Sequence, residues 1–155
     1  MIRWERGRAE VDRLIDRGQV TRVQADRALA DQYLGTAGRR MDAVEAIREI
    51  DPAGAFVLAY DAARLALAAV LVNQGLRPRG EGAHAVLLEV LLAQLEPPRQ
   101  AELREFSWMR RLRNDTQYPD VDRPSATADD LAQAIPAARA VIRVASTLLP
   151  HMPPY

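Results

Sequence analysis

The chain has 155 residues, a length typical of one domain. Hydrophobic residues make up 48% of it and charged residues 27%, which excludes a disordered or collagen-like chain. Because cysteine is absent, disulfides, thiolate metal sites and a cysteine nucleophile are excluded. The 21 basic residues balance 21 acidic ones, so the chain lacks the overall positive charge of a general polyanion binder.

The absence of lysine and the low number of histidines limit the reactions and ligands that this chain can support. Lysine is absent, which excludes Schiff-base chemistry and the lysine of a P-loop. With His84 and His151 as the two histidines, we expect no metal site, and we expect no cofactor. The charged first six residues lack the apolar core of a signal peptide, and Asp61 and Arg64 interrupt the longest apolar stretch. We therefore expect a cytoplasmic protein that does not interact with a membrane.

The N-terminal segment shows helical spacing of apolar residues. The pattern predicts a first helix over residues 8–17, and Gly18 follows as a stop. Thr21 and Gln24 have the form of a capping box, which predicts a second helix that continues toward residue 34.

Two glycines, Gly35 and Gly38, interrupt this second helical pattern. Glycine is unfavourable inside helices, so we predict a break there and a third helix over residues 38–49. Without that break the two segments would form one long helix, and the sequence leaves this alternative open.

The central helix has the clearest signals. Asp51 is suited to the N-cap and Pro52 to the first helical position, and Gly75 is suited to the C-terminal stop. Between them the residues are apolar on nearly all sides, which is typical of a buried helix.

The C-terminal half reads as three more helices. The first covers residues 83–95, and after Pro97-Pro98 the second covers 99–117. Thr127 caps the last helix, which we expect to end at Pro150 and to be followed by a loose tail.

Taken together, these segments predict an all-α protein. No segment of useful length shows the alternation of a strand. We expect a helical bundle of four to five main helices, preceded by short N-terminal helices. It should form one compact domain, in which residues 1–50 are an N-terminal helical extension with the first bundle helix and residues 51–150 are the core.

The densest polar stretch is residues 110–120. On a helix, five of its side chains fall close to one face: Arg110, Arg113, Asn114, Gln117 and Tyr118. Guanidinium groups suit phosphate or carboxylate. In the alternative interpretation the arginines pair with Glu102, Glu105 and Asp115 on a solvated helix, and Tyr118 packs in the core.

Other polar or aromatic residues have two interpretations each. His84, at a predicted helix start, is either a capping or packing residue or a distant contributor to a nucleotide site. Asp61 and Arg64, in the buried helix, should pair with each other or reach the Arg113 region. Trp108 is expected in the core or at a dimer interface rather than as a base-stacking platform.

From residue 51 onward the chain resembles a HEPN domain, the helical bundle of toxin–antitoxin and defence systems. Residues 51–64 resemble the buried helix of that family, and residues 74–78 and 82–84 the turn and helix start that follow. Residues 113–118 resemble its late signature, in which an Arg and a polar residue precede a terminal polar residue. The first two helices resemble an extension found in some bacterial members. The resemblance implies a helical bundle that pairs as a homodimer.

The late signature departs from that of members that cut RNA. There the resemblance implies a His at 118–120, where this chain has Tyr118, Pro119 and Asp120. Imidazole, with a pKa near 6.5, suits both proton transfers of metal-independent RNA cleavage, whereas a phenol does not. Tyr118 instead resembles the branch whose signature ends in Arg…Tyr, often encoded beside a nucleotidyltransferase partner. In that branch the tyrosine can accept a nucleotide.

The resemblance implies a non-catalytic HEPN module of a toxin–antitoxin or stress/defence system. It would bind a partner protein, and nucleotide or RNA phosphate, through Arg110, Arg113, Asn114 and Tyr118. The alternative is a metal-independent ribonuclease toxin with a rearranged site that uses Arg113, Asn114 and Tyr118. A purely structural interaction domain is a third reading. The sequence leaves open whether the protein is toxin or antitoxin.

Overall fold

A computed structural model describes residues 5–95 and 100–155 of the chain. The predicted break at Pro97-Pro98 and the predicted helix start at Arg99 lie outside these residues. Helices dominate the described part, together with two short strands and a terminal 3-10 turn at Leu149–His151. The elements are α1 (Arg8–Asp16), β1 (Val20–Arg22), α2 (Arg27–Ile47), α3 (Pro52–Gln74), β2 (Leu76–Pro78), α4 (Ala83–Leu95), α5 (Gln100–Gln117) and α6 (Ala128–Leu148). The all-α prediction is confirmed.

Helix α3 is the centre of the bundle and forms as predicted. Its N-cap Asp51 accepts a hydrogen bond from the backbone N–H of Gly54 at 2.9 Å, and Pro52 occupies the first helical position. Gly75 ends the helix in the left-handed conformation, with φ of 77°. Because α2, α4, α5 and α6 all pack around it, its side chains are buried on most sides.

The same helix is long and apolar enough to cross a membrane by composition alone. However, 67% of its most apolar stretch is buried against other parts of the protein. Such burial is typical of the core helix of a soluble domain, because a membrane span presents its apolar surface to lipid.

The second predicted helix starts later than the sequence indicated. Thr21 does not cap a helix but lies in β1, which pairs with β2 in antiparallel register. The N-cap of α2 is Asp26, whose carboxylate accepts a hydrogen bond from the backbone N–H of Leu29 at 2.8 Å. The prediction was wrong because pairing with β2, distant in sequence, satisfies the backbone of residues 20–22 better than a helical turn does.

Helix α2 is continuous through both of its glycines, so the predicted break at Gly35 and Gly38 is wrong and the one-helix alternative is correct. Each glycine costs a helix roughly 1 kcal/mol relative to alanine. Packing offsets that cost, because one face of α2 is buried against α3. The buried residues on that face are Ala30, Ala37, Met41 and Val44.

The C-terminal tail was predicted to be loose, but the structure holds it in place. The Tyr155 hydroxyl shares its one proton between the Asp12 carboxylate at 2.8 Å and the Arg8 carbonyl at 3.0 Å. Burial, reinforced by the Asp12 carboxylate, raises the pKa of Tyr155 to about 12. The buried Asn73 amide also donates to the carbonyl of Met152, so the tail closes over α1 and the end of α3.

Candidate functional site

Two arginines of α5 lie on the face that the helix turns toward the core. Leu103 and Phe106, which are fully buried, precede Arg110 and Arg113 on this face at helical spacing. Arg110 and Arg113 are themselves partly buried. Their side chains therefore extend along the inside of the bundle instead of lying on a solvated face.

An aromatic stack from α3 supports Arg113. Its guanidinium lies 5.7 Å from the ring centre of Tyr60, and that ring also contacts the rings of Phe106, stacked at 5.2 Å, and His84, tilted at 6.0 Å. The Tyr60 hydroxyl and the Nδ1 atom of His84 are hydrogen-bonded at 2.9 Å. Helices α3, α4 and α5 thus each place one polar group in a single cluster.

Both arginines have an orphaned donor. The Nε atoms of Arg110 and Arg113 are buried and have no hydrogen-bond partner among the described residues. Within residues 5–95 and 100–155, no carboxylate lies within 4 Å of either guanidinium. The alternative interpretation, in which they pair with acidic residues of their own helix, is therefore not what the structure shows. Buried charged donors of this kind call for an anion.

The neighbouring charges do not compensate these two arginines. The Asp61 carboxylate is shared between Arg64, at 2.6 Å, and Arg40. The pairing of Asp61 with Arg64 across one helical turn is one of the two arrangements expected from the sequence. Arg64, Arg110 and Arg113 all act on His84, whereas the nearby Asp61 carboxylate pairs with Arg64 and Arg40, so the cluster carries a local excess of positive charge in a chain of zero net charge.

The ionisation of the cluster follows from burial and from those charges. Burial lowers the pKa of His84, and the positive charges of Arg64, Arg113 and Arg110 lower it further. Burial raises the pKa of Tyr60, against the opposing effect of the same arginines. At neutral pH the imidazole is therefore uncharged and the phenol keeps its proton.

Two cavities open beside the cluster. The smaller, of about 300 Å³, lies between the loop before α4 and the inner face of α5. Its lining residues are Gly80, Gly82, Ala83, His84, Ala85, Arg110 and Asn114. The larger, of about 500 Å³, lies between the β1–β2 pair and helices α2, α3 and α4. Because Ala83 and His84 line both cavities, the start of α4 is their common border.

The structure divides the predicted residues into two groups. Arg110 and Asn114 line the smaller cavity, and Arg113 lies beside them over Tyr60. Tyr118 and Gln117 are exposed at the end of α5, and Tyr118, with 75% of its surface accessible, does not pack in the core. Site residues Arg110, Arg113 and Asn114 stay together, whereas Tyr118 stands apart from them.

His84 is the residue that sequence reasoning undervalued. It was expected either to cap or pack or to contribute distantly to a nucleotide site, and the structure places it in the arginine cluster from a different helix. A signal was present, because His84 precedes Leu87, Leu88 and Leu91 at helical spacing on the buried face of α4. A polar residue on such a face needs a partner, and Tyr60 supplies it.

Two further expectations from the sequence concern the packing of Trp108 and a metal site. The Trp108 ring meets Phe56 edge-on at 5.7 Å, which matches the expected packing role in the core. Across the part of the chain that the structure describes, no group of three or more metal-ligating side chains comes together.

The architecture and the inward arginine cluster define a helical bundle with a polar notch between its third, fourth and fifth helices. The sequence pattern of the HEPN domain matches residues 30–148, which is most of the chain. The protein therefore belongs to the HEPN domain family. No curated protein and no solved structure is significantly similar to the chain.

The lowered pKa of His84 predicts how stability depends on pH. The unfolded chain, where the pKa is near 6.5, binds more protons than the folded chain just below that pH. Wild-type stability should therefore fall as the pH drops below about 6.5. The variant His84→Gln should lose less stability over this range, as measured by urea unfolding between about pH 5 and 7.5.

The matched control is His151→Gln, which removes an exposed histidine outside the cluster. This variant should keep the wild-type slope. If the stability of His84→Gln and that of the wild type change in parallel with pH, then the surroundings of His84 do not lower its pKa.

Proposed function

We propose that this HEPN module binds the phosphate group of a nucleotide or of RNA at the cluster of Arg110, Arg113, Asn114 and His84. The observation that carries the proposal is the pair of buried Nε–H donors on Arg110 and Arg113, which lack any partner among the described residues. A phosphate oxygen is the acceptor that a guanidinium fork fits best.

Electrostatics supports the same ligand. Three cationic side chains, Arg64, Arg110 and Arg113, act on His84, and Asp61 balances part of their charge. An anion at the notch would offset this excess and complete the hydrogen bonding of both arginines. Because the walls are partly buried, salt would weaken such an interaction less than it weakens exposed ion pairs.

We further propose that the module does not cut RNA and that it works within a toxin–antitoxin or stress/defence pair. The Nδ1 atom of His84 is engaged by the Tyr60 hydroxyl at 2.9 Å, so it is not free to act as a base on a 2′-hydroxyl. When the phenol is the donor of this bond, the imidazole proton lies on Nε2 and neither nitrogen is a free base.

A second candidate function is a metal-independent endoribonuclease. The observation in its favour is again His84, because α4 supplies the neutral imidazole that the sequence lacks at residues 118–120. In that case His84 would give up its bond to Tyr60 when substrate binds, and Arg113 would stabilise the phosphorane charge.

The proposed partners are a second copy of this chain and a nucleotidyltransferase-type protein. The exposed phenol of Tyr118 supports the second of these, since an acceptor hydroxyl must be accessible to the transferring enzyme. This support concerns access alone, because Tyr118 lies outside the cluster.

The binding proposal is tested with two double variants of equal charge. Arg110→Gln/Arg113→Gln should weaken binding of a fluorescent single-stranded RNA by about 100-fold or more, since each of the two charged hydrogen bonds contributes roughly 1.5–3 kcal/mol. Arg104→Gln/Arg111→Gln, which changes two exposed arginines of the same helix, should bind within about twofold of wild type. Equal losses in both variants would indicate nonspecific charge attraction and would refute the site.

The nuclease candidate is tested by expressing the protein alone in a bacterial host and following growth and total RNA integrity. The non-catalytic proposal expects intact RNA with the wild type. If RNA is degraded when the wild type is expressed and stays intact with His84→Gln, that result overturns the non-catalytic proposal in favour of the nuclease.

A further inference from the structure

We infer that the larger cavity binds a small carboxylic acid with an unbranched aliphatic chain, whose carboxylate is held by Arg64 and Tyr33. The cavity has a volume of about 500 Å³, which lies within the roughly 300–1,000 Å³ of small-molecule sites. The inference does not rest on the proposed phosphate site, because Arg110, Arg113 and Asn114 do not line this cavity.

The shape of the cavity follows helix α3. Arg64, Ala68, Leu71 and Val72 line it at positions i, i+4, i+7 and i+8, so they form one stripe along the helix. At a rise of 1.5 Å per residue, the stretch from Arg64 to Val72 is about 12 Å long. A stripe of this length indicates an elongated ligand.

Two contacts between α2 and α3 place Tyr33 at one end of the stripe. The backbone N–H of Asp26 donates to the Val72 carbonyl at 3.1 Å, and Arg40 pairs with Asp61, so the two helices run antiparallel. Tyr33 lies halfway between Asp26 and Arg40 in the sequence. It is therefore opposite the middle of residues 61–72, beside the start of the stripe, whereas Asp26 is at its other end.

The walls between these two ends are aliphatic. They are formed by Val23, Leu29, Ala68, Leu71, Val72, Leu76, Pro78 and Leu87. Such walls offer a hydrocarbon chain burial from water without leaving a polar group unpaired. Each pair of methylene groups that enters them should tighten binding roughly tenfold.

Free hydrogen-bond donors are found at the Tyr33 end. The Nε and Nη2 atoms of Arg64 donate to Asp61 at 3.0 and 2.6 Å, which leaves Nη1 without a partner among the described residues. The Tyr33 hydroxyl likewise has no hydrogen-bond partner in the described part of the chain. A guanidinium N–H and a phenol O–H match the two oxygens of one carboxylate.

The charges that line the cavity favour an anion over a cation. Arg64 and Arg77 are the cationic lining residues, and Asp26, at the far end, is the acidic one. The carboxylate of Asp61 does not neutralise Arg64, because a second arginine shares it. The exposed guanidinium of Arg77 has no partner among the described residues. His84, also in the lining, is uncharged at neutral pH.

The experiment titrates the full chain by calorimetry with butanoate, hexanoate, octanoate, decanoate and dodecanoate. An extended chain advances about 1.2 Å per bond, so an acid of about ten carbons fills the 12 Å stripe. Affinity should therefore rise about tenfold for every two carbons up to decanoate and level off at dodecanoate. If it rises through dodecanoate without levelling off, the acids adsorb to apolar surface as detergents do, and the inference is overturned.

Two further probes test the head group with the chain length held constant. 1-Octanol and octylamine, with a neutral and a cationic head, should each bind about tenfold or more weakly than octanoate. Equal affinity of the three compounds would show that the cavity does not recognise a carboxylate and would contradict the inference.

Tyr33→Phe removes the hydroxyl and keeps the ring. It should weaken octanoate binding about tenfold and leave 1-octanol within about twofold of wild type, because the neutral probe does not depend on that charged hydrogen bond. A merely structural role of Tyr33 would weaken both probes equally.

Filling the cavity tests where the chain lies. Ala68→Phe should reduce octanoate affinity more than about tenfold, whereas the matched control Ala132→Phe, on the exposed face of α6, should keep it. Octanoate binding that survives both Ala68→Phe and Tyr33→Phe would place the acid elsewhere and overturn the inference. The phosphate-binding function would be unaffected by that result, because it depends on Arg110 and Arg113.

Discussion

Replacing Gly75 with alanine should lower the free energy of unfolding by about 3 kcal/mol. The residue has φ of 77°, where a Cβ costs roughly 1–2 kcal/mol. That Cβ would also meet the backbone oxygen of Val23 at 2.5 Å, and forcing an atom into a packed site adds roughly 1–3 kcal/mol. Urea unfolding measures the difference.

Gly80→Ala is the matched control for Gly75→Ala. Gly80 has nearly the same φ, 78°, but a Cβ there would have nothing within 4 Å. It should therefore cost about 1 kcal/mol, from the backbone conformation alone. Equal costs for both variants would show that the β1 segment moves away freely and that Gly75 does not fix its approach. The comparison bears on the site, because this contact holds Val23 beside the end of α3, and Val23, Val72 and Leu76 line the larger cavity.

Replacing Gln94 with methionine should lower the free energy of unfolding by about 2–3 kcal/mol. The side chains of Gln94 and Gln74 are 3% and 1% exposed, and they exchange two hydrogen bonds, of 2.7 and 3.3 Å. Removing one partner leaves a buried amide with both its donor and its acceptor unsatisfied, and each such loss costs roughly 1–3 kcal/mol. Chemical unfolding at pH 7 gives the value.

The double variant Gln74→Met/Gln94→Met tests that explanation. With both amides replaced by apolar groups of similar shape, no polar atom is stranded, and stability should return to within about 1 kcal/mol of wild type. If the double variant is less stable than Gln94→Met, the pair contributes through packing and not through its hydrogen bonds. This pair joins α3 to α4, the helices that carry Tyr60 and His84.

Features that depend on neighbouring residues were predictable from the sequence. Asp51 and Pro52 define the start of α3 through one turn of backbone, and Thr127 and Asp130 form a complete capping box at α6. Such signals are local, so the printed sequence contains all the groups involved. The HEPN resemblance likewise came from short segments and is confirmed by the family match over residues 30–148.

Features that depend on distant residues were not predictable in the same way. The strand at Val20–Arg22 is too short to show alternation, and its partner is β2. The glycines of α2 do disfavour a helix locally, but packing of α2 against α3 outweighs this tendency and keeps the helix continuous. Arg110, Arg113 and Asn114 were identified as one helix face, but a single helix cannot reveal that α4 brings His84 to that face.

The most direct test of the account is to observe the two orphaned donors themselves. With arginine labelled by ¹⁵N, the Nε–H signals of Arg110 and Arg113 are followed by NMR as inorganic phosphate is added, with the exposed Arg111 as internal reference. Binding at the proposed site should shift both signals along one saturating curve and leave Arg111 unchanged. If the signals of Arg110 and Arg113 stay in place, or all arginines move together without saturating, the cluster is not a phosphate site.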